Sequence, residues 1–402
     1  MRVLITTISH YCDRPSGSAR IARDEALEVR DRGEDVWIIG SGSDRLPEHE
    51  IQNGIHLIRY CPPKVPSWNP RRALVHQKAA REALRRHLPV VDAIHGHIPL
   101  ATVAALNLYG DSVRAYYTIH SPARMEMSIE WKNSDMARRL TMPLGLLLLN
   151  RIEAECLRRS NVITALSQYT KDCVRRIHGD SIADKVKVIS GWVDTSRFKP
   201  EEDRKSIKSK LGWPTDLPVL FTLRRLVARM GLDRLVDACH NLVTEGYKFH
   251  LVIGGDGPLR SKLERQSTSL GLSESVTFIG RVPDEWLPST YAACDAFVLP
   301  SSELECFGLI AIEALSAGRP VLATPAGAIP EIIRQFEPAW LARSSEPRDL
   351  ANLLRAFLSG QLPTHTPAEL HDRICSRYSR QRVLNDFIEA TVGSRKDRDL
   401  VS

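Results

Sequence analysis

The chain has 402 residues, of which 43% are hydrophobic and 26% charged, with a formal charge of +7 and an isoelectric point near 9.0. That length is more than one ordinary core uses and predicts two domains, with the composition of a soluble globular protein. The charge suits an anionic ligand or an acidic membrane surface, but no block of five or six consecutive basic residues occurs, which argues against nucleic acid as a partner.

Short apolar runs at 3–8, 36–40, 56–60, 91–95, 115–119, 162–165 and 186–189 predict strands in the first half. Amphipathic stretches of helical length, such as 18–32, 71–87 and 171–177, separate most of them. Residues 1–8 are too short for a signal-peptide core and fit a first strand instead. The most apolar run, 144–149, falls far short of a bilayer span. It is expected on the buried side of a long helix, with an interfacial patch as the alternative. The polar segment 194–213 has the composition of an interdomain connection, and a second series of apolar runs comes after it at 219–222, 249–253, 276–279, 296–299 and 320–323. Helical spacing returns at 379–389, ahead of a tail from 394 expected to fray.

Strands alternating with helices along the whole chain predict an α/β protein of two doubly wound, Rossmann-like parallel-sheet domains. The expected division is an N-terminal domain at 1–194, a linker at 195–215, a second domain at 216–378, and a C-terminal helix and tail at 379–402. In open parallel sheets ligands bind at the carboxyl ends of the strands, so a cleft between two such domains is the expected place for chemistry. Eight cysteines are scattered without a CxxC pair, which predicts buried, reduced thiols in a cytoplasmic protein.

Several strand ends carry candidate site residues. Gly17, between the first strand and the first helix, lies where a helix N-terminus holds a phosphate or sugar, or where the turn alone needs a glycine. His97 and His120 each fall at or just after a strand end. His95 and His97 alternate as in a metal site, but no third ligand stands at sensible spacing. Arg224, Arg225 and Arg229 follow a strand and precede a helix. They form either an anion site of guanidinium forks or a solvated basic loop. Gly254-Gly-Asp-Gly-Pro258 permits a tight turn and close approach of a ligand to the backbone, a weak signal by itself.

The most informative stretch is Pro300-Ser-Ser-Glu-Leu-Glu305-Cys-Phe-Gly-Leu-Ile-Ala-Ile-Glu313-Ala-Leu-Ser-Ala-Gly318. Glu305 sits in a polar turn after an apolar strand. Glu313 sits inside a short helix of small and apolar residues, which Gly318 closes as a C′ residue. A carboxylate on such a helix is expected to be partly buried, and burial costs several kcal/mol unless hydrogen bonds compensate it. Ligand hydroxyls are candidate donors.

With these segments in order, the chain resembles the family-4 retaining glycosyltransferases, whose two-domain fold is called GT-B. The most specific element is Glu305-x7-Glu313 in its motif. Supporting matches are Gly255-Asp-Gly-Pro258, Val193-Asp194-Thr-x-Arg-Phe198, Leu166-Ser167-x-Tyr-Thr170 and Gly327-Ala-Ile-Pro-Glu331. The resemblance implies a nucleoside-diphosphate sugar as donor, held mainly by the C-terminal domain without a metal or other cofactor. Glu305 would meet hydroxyls of the donor sugar, Glu313 the ribose hydroxyls, and Arg225 the diphosphate. Arg224, Arg229, Gly255, Phe307, Gly308 and Leu309 complete the implied donor set, with Arg281 at the base and Gly17 near the phosphates or acceptor. His120 would stand beside the reacting sugar, and His120, Arg225 and Glu305 are the implied catalytic group.

The resemblance further implies transfer of a hexose-type sugar to a sugar, lipid-linked or small-molecule acceptor in glycan biosynthesis. A UDP-sugar is favoured over GDP-mannose, and peripheral contact with the inner membrane face is an option. A catalytically impaired sugar-nucleotide-binding protein, or another GT-B enzyme such as an epimerase, is the alternative. One departure stands out: Met230 occupies the place of a family lysine that contacts the diphosphate, and Arg224 or Arg229 is expected to supply the missing charge. Gly191-Trp192 and Ser18 also depart from the family's pattern, on the acceptor side.

Overall fold

The computed structural model describes residues 1–14, 16–66, 69, 71–132 and 136–391, with the backbone alone at 130–132, 136–142 and 391. Contacts divide the chain into two units, Met1–Ser190 together with the segment from Leu384, and Gly191–Val383.

In the first unit the strands are β1 (Arg2–Thr6), β2 (Asp35–Ser41), β3 (His49–Gln52), β4 (Ile55–Tyr60), β5 (Ala93–Gly96), β6 (Arg114–Ile119), β7 (Val162–Ala165) and β8 (Val186–Val188). They lie in the order β3-β4-β2-β1-β5-β6-β7-β8, parallel throughout except at the β3–β4 edge. Helices cover the sheet, so strands such as β1 and β5 are buried nearly end to end, β1 through the apolar run Val3-Leu-Ile5. One core cluster gathers Leu4, Ile39, Ile58, Leu84, Ile94 and Leu106, and another Tyr117, Ile119, Ile152, Leu157 and Ile163. Buried threonines near the strands' carboxyl ends are satisfied by other hydroxyls: Thr6 lies 2.7 Å from Thr102 of helix Pro99–Tyr109, and Thr118 lies 2.7 Å from Thr164.

The second unit has β9 (Val219–Leu223), β10 (His250–Gly254), β11 (Val276–Gly280), β12 (Ala296–Leu299) and β13 (Val321–Ala323), in the order β11-β10-β9-β12-β13 with every pairing parallel. Phe221, Tyr291 and Phe297 form an aromatic cluster in its core, with centroids 5.3–5.8 Å apart. Each apolar run expected to form a strand overlaps one, and the expected helices near 18–32, 71–87 and 379–389 are Gly17–Asp31, Arg72–His87 and Arg380–Thr391.

Four expectations need correction. First, β3 was missed because its sequence, His49-Glu-Ile-Gln, is polar and it lies at a sheet edge; Asn53 (φ 49°) and Gly54 (φ 73°) make the hairpin turn to β4. Second, residues 195–215 are built into the second unit. Asp203 caps helix Arg204–Lys210, and Asp295 accepts from Arg204 at 2.6 Å, from Lys208 at 2.7 Å and from the Val219 N–H at 2.7 Å. The polarity of this stretch therefore feeds an ion cluster. The unit boundaries also fall at 190/191 and 383/384, because Val193 exchanges backbone hydrogen bonds with Tyr378 and Arg380. Third, the apolar run 144–149 is only partly on a buried side. Leu148 packs against the second core cluster, but Leu144 and Leu147 are 58% and 50% exposed, and the buried residues of helix Met136–Arg159 in that cluster are Ile152, Cys156 and Leu157, C-terminal to the run. Fourth, the cysteines are unpaired but Cys12 and Cys61 are exposed. The tail from 392 lies outside the described residues.

Candidate active site

In the second unit, β9 lies between β10 and β12, so the loops leaving the carboxyl ends of all three are neighbours. Backbone hydrogen bonds tie these loops together. Arg224 N–H donates to Gly254 O (3.0 Å), Leu226 N–H to Asp256 O (3.0 Å), and Ser302 N–H to Arg229 O (2.9 Å). Gly255 makes this approach feasible. Its φ is +112°, and a Cβ there would lie 1.8 Å from the Arg224 carbonyl oxygen.

Arg224 and Glu305, 81 residues apart in the chain, meet in this loop cluster. Arg224 Nη2 donates to Glu305 Oε2 at 2.5 Å, and the Ser301 hydroxyl donates to the same oxygen at 3.1 Å. Both side chains are largely buried, 4% and 15% exposed. Burial alone would push the Glu305 carboxyl up. Arg224, with smaller contributions from Arg229 and Ser301, outweighs it and holds the group below its ordinary value, so Glu305 is a carboxylate. Met230 lies against the same guanidinium, its sulfur 3.2 Å from Arg224 Nε and also contacting Nη2. Arg229 donates to Leu304 O at 3.1 Å, supporting the turn in which Leu304 takes a left-handed φ of 47° just before Glu305.

Glu305 is followed by Gly308, the N-cap of helix Leu309–Ser316, which no side chain caps. Its first-turn N–H groups are the kind that bind an anion. Glu313 is 3% exposed and accepts from the Tyr291 hydroxyl at 2.7 Å.

The first unit carries a buried polar chain. His95 Nδ1 and His97 Nε2 both face Glu25, the first at Oε1 and the second at Oε2, 2.8 Å away. His97 Nδ1 lies 2.8 Å from His120 Nε2, and His95 Nε2 lies 2.8 Å from the Thr118 hydroxyl. Burial pushes the Glu25 carboxyl up, but the two imidazoles overcome this and bring it down to about 2. Burial lowers His97, partly opposed by Glu25, and lowers His120 well below its ordinary value, with His97 and His95 adding to the effect. The ligand atoms of Glu25, His95 and His97 lie within 4.8 Å of one another, close enough for a cation. Each is already engaged in a hydrogen bond with another member of the set.

Comparisons with known proteins bear on both units. Residues 15–197 match the profile of Glycosyltransferase Family 4, and residues 203–381 that of Glycosyl transferases group 1, so together the two matches span most of the chain. The chain belongs to the family-4 glycosyltransferases. Among its relatives is the GDP-mannose-dependent alpha-(1-6)-phosphatidylinositol monomannoside mannosyltransferase of Mycolicibacterium smegmatis, 32% identical over 198 residues, 48% of this chain and 50% of that one. An uncharacterized glycosyltransferase of Methanocaldococcus jannaschii is 27% identical over 311 residues, 75% of each chain. The chain spans about half the length of the first curated relatives it matches. Sucrose-phosphate synthase of Thermosynechococcus elongatus superposes with a TM-score of 0.78 at 19% identity, covering 96% of this chain and 97% of that one. The fold is GT-B.

In the second unit, Arg224, Arg229, Gly255, Glu305 and Gly308 share one loop cluster. Arg225 is exposed on the same loop, and Leu309 opens the helix. Arg281 stands at the rim, 85% exposed and 4.0 Å from Asp256. Phe307 is 6% exposed and packs near Tyr378, at 6.2 Å between centroids, which makes its side chain a packing element. Gly17 begins helix Gly17–Asp31 and is exposed, with Ser16 capping the helix. His120 is joined to His97, as no spacing argument indicated. Glu25 was missed altogether. Its signal was a carboxylate on the buried stripe Ile21, Ala22, Ala26 and Val29.

Proposed function

We propose that this glycosyltransferase is a retaining hexosyltransferase that moves a sugar from a nucleoside diphosphate to a sugar, lipid-linked or small-molecule acceptor. The observation that carries the reading is the Glu305 carboxylate, kept ionised by Arg224 and Ser301 directly ahead of the uncapped helix N-terminus at Gly308. A carboxylate so held accepts hydrogen bonds from sugar hydroxyls. The N–H groups at Gly308 and Leu309, with Arg225 and Arg229, suit the diphosphate whose charge grows as the sugar–phosphate bond breaks. Such preorganised donors contribute several kcal/mol each to a developing charge, the task a metal performs elsewhere, so no metal belongs to this reading. Arg225 and Arg229, on the loop that carries Met230, supply the charge of the missing lysine in this reading. Glu313, buried beside Tyr291, would take the ribose hydroxyls. His120 and Gly17 serve the reacting sugar and acceptor, and the leaving phosphate itself assists deprotonation of the acceptor on the same face.

A UDP-sugar is the first donor to test. GDP-mannose is the second, favoured by the donor dependence in the name of the mycobacterial relative. Among the described residues no helix is long and apolar enough to cross a membrane. Peripheral contact through the exposed basic residues of helix Arg72–His87 is part of the same proposal.

A thermal-shift screen of nucleotide sugars tests the donor, since a ligand at about 100 times its Kd adds about 2.7 kcal/mol. The absence of any shift refutes the donor site. Proton NMR of the product then tests retention, and an inverted anomeric configuration refutes it. Unchanged turnover in a chelator is expected.

A further inference from the structure

We propose that Glu25 is a positioning residue for sugar transfer: through His97 it fixes His120 as the Nε2–H tautomer, so that Nδ1 of His120 faces the sugar substrates as a hydrogen-bond acceptor. The proposal rests on the functional reading in which His120 serves the reacting sugar.

Glu25 projects from the buried stripe of helix Gly17–Asp31 and its side chain is 0% exposed. An ionised carboxylate there is tolerable only when its oxygens are hydrogen-bonded, and it can only accept. His97 Nε2, 2.8 Å from Glu25 Oε2, must therefore carry a proton. A neutral imidazole has one N–H, so His97 Nδ1 is a bare lone pair. The atom opposite it at 2.8 Å is His120 Nε2, which must then be the donor. The remaining ring nitrogen of His120, Nδ1, is left as an acceptor. Burial holds both imidazoles below their ordinary range, so neither becomes an imidazolium near neutral pH.

Packing keeps the rings in this order. Phe387 stacks on His95 at 5.4 Å between centroids, His95 on His97 at 4.6 Å, and His97 on His120 at 5.1 Å. His95 occupies the other Glu25 oxygen and is itself satisfied by Thr118, so neither oxygen is left for rearrangement. A hydroxyl offered to His120 thus meets a lone pair, which suits a sugar hydroxyl that must donate.

The test reads the tautomer directly. The full-length protein, labelled with nitrogen-15 histidine, is examined by long-range proton–nitrogen correlation near neutral pH, with His120 assigned from a His120→Asn spectrum. The Nε2–H pattern is expected. An Nδ1–H or imidazolium pattern overturns the proposal whatever the enzyme transfers. The expected pattern in a protein that transfers no sugar instead overturns the functional reading alone. Glu25→Met keeps the length and removes both acceptors, whereas a glutamine can still turn its amide oxygen to His97. With no acceptor at Nε2, His97 is released from its tautomer, the Nε2–H pattern of His120 should give way to Nδ1–H in part or in whole, and kcat should fall about 10- to 100-fold, as for a lost hydrogen bond to a charged group, with the donor KM little changed. A folded Glu25→Met protein with an unaltered His120 tautomer, or with wild-type kcat, overturns the positioning role. If that variant does not fold, the wild-type spectrum still decides.

Discussion

Replacing Arg224 with methionine is expected to destabilise the second unit by about 2–3 kcal/mol, and the structure shows why the figure is not larger. Arg224 and Glu305 are 4% and 15% exposed and 2.5 Å apart. Removing one partner of a pair so buried leaves an uncompensated carboxylate, which typically costs about 3–5 kcal/mol. Ser301 still donates to Glu305 at 3.1 Å, and the charge of Arg229 still acts on it, together recovering about 1–2 kcal/mol. At about 2–4 °C per kcal/mol for a unit of this size, the melting transition should fall by about 5–10 °C.

The pH dependence has a definite sign. In the wild type the Glu305 carboxyl is held below its ordinary value, so the pair's contribution is complete above the unfolded value of about 4.3. It is lost as pH falls through the lower folded value. Without Arg224 the burial that pushes the carboxyl up is less opposed, and protonation relieves the variant first. The deficit of Arg224→Met should therefore be largest near pH 7 and shrink in acid. Hydrogen exchange of the β9 and β12 amides reads this unit separately from the other. A variant within about 0.5 kcal/mol of wild type at neutral pH, or a deficit that does not shrink in acid, refutes the reasoning.

Gly255→Ala should destabilise the second unit by about 3 kcal/mol or more, because φ is +112° and the new Cβ would sit 1.8 Å from a backbone oxygen. Gly246→Ala, at φ +88° with nothing within 4 Å, should cost only about 1 kcal/mol by the same denaturation assay. Asp295→Asn should lose about 2–3 kcal/mol at neutral pH by weakening the contacts to Arg204 and Lys208. Burial pushes the Asp295 carboxyl up, but Lys208, the Val219 N–H and Arg204 hold it down overall, so this difference should fade as pH drops below about 4 in a stability–pH profile. Met230→Lys places an ammonium against Arg224 in a site only 7% exposed and should destabilise the protein by about 1–3 kcal/mol with turnover unchanged. A large gain in turnover would show that Arg225 and Arg229 do not replace the missing lysine.

How much of this was legible in the sequence depends on whether the deciding partner was local. Strands such as β12, four buried residues covered on both faces, announce themselves as unbroken apolar runs. The polar edge strand β3 has no such run, and only the Asn53-Gly54 turn betrays it. Charged residues pose the harder case. Asp203, Arg204 and Lys208 have the composition of a solvated linker, yet two of them end on Asp295, 91 and 87 residues away. Arg224 and Glu305 were each marked by a motif, but their contact exists because β9 lies beside β12, an adjacency that chain order conceals. Glu25 is the extreme instance: its helix shows a carboxylate on an apolar stripe, and its partners are 70 and 72 residues further on. A carboxylate facing water and one facing an imidazole are the same letter. What separates them is the cost of burying charge, so an acidic residue on an apolar face implies a donor somewhere in the chain even when its sequence neighbours offer none.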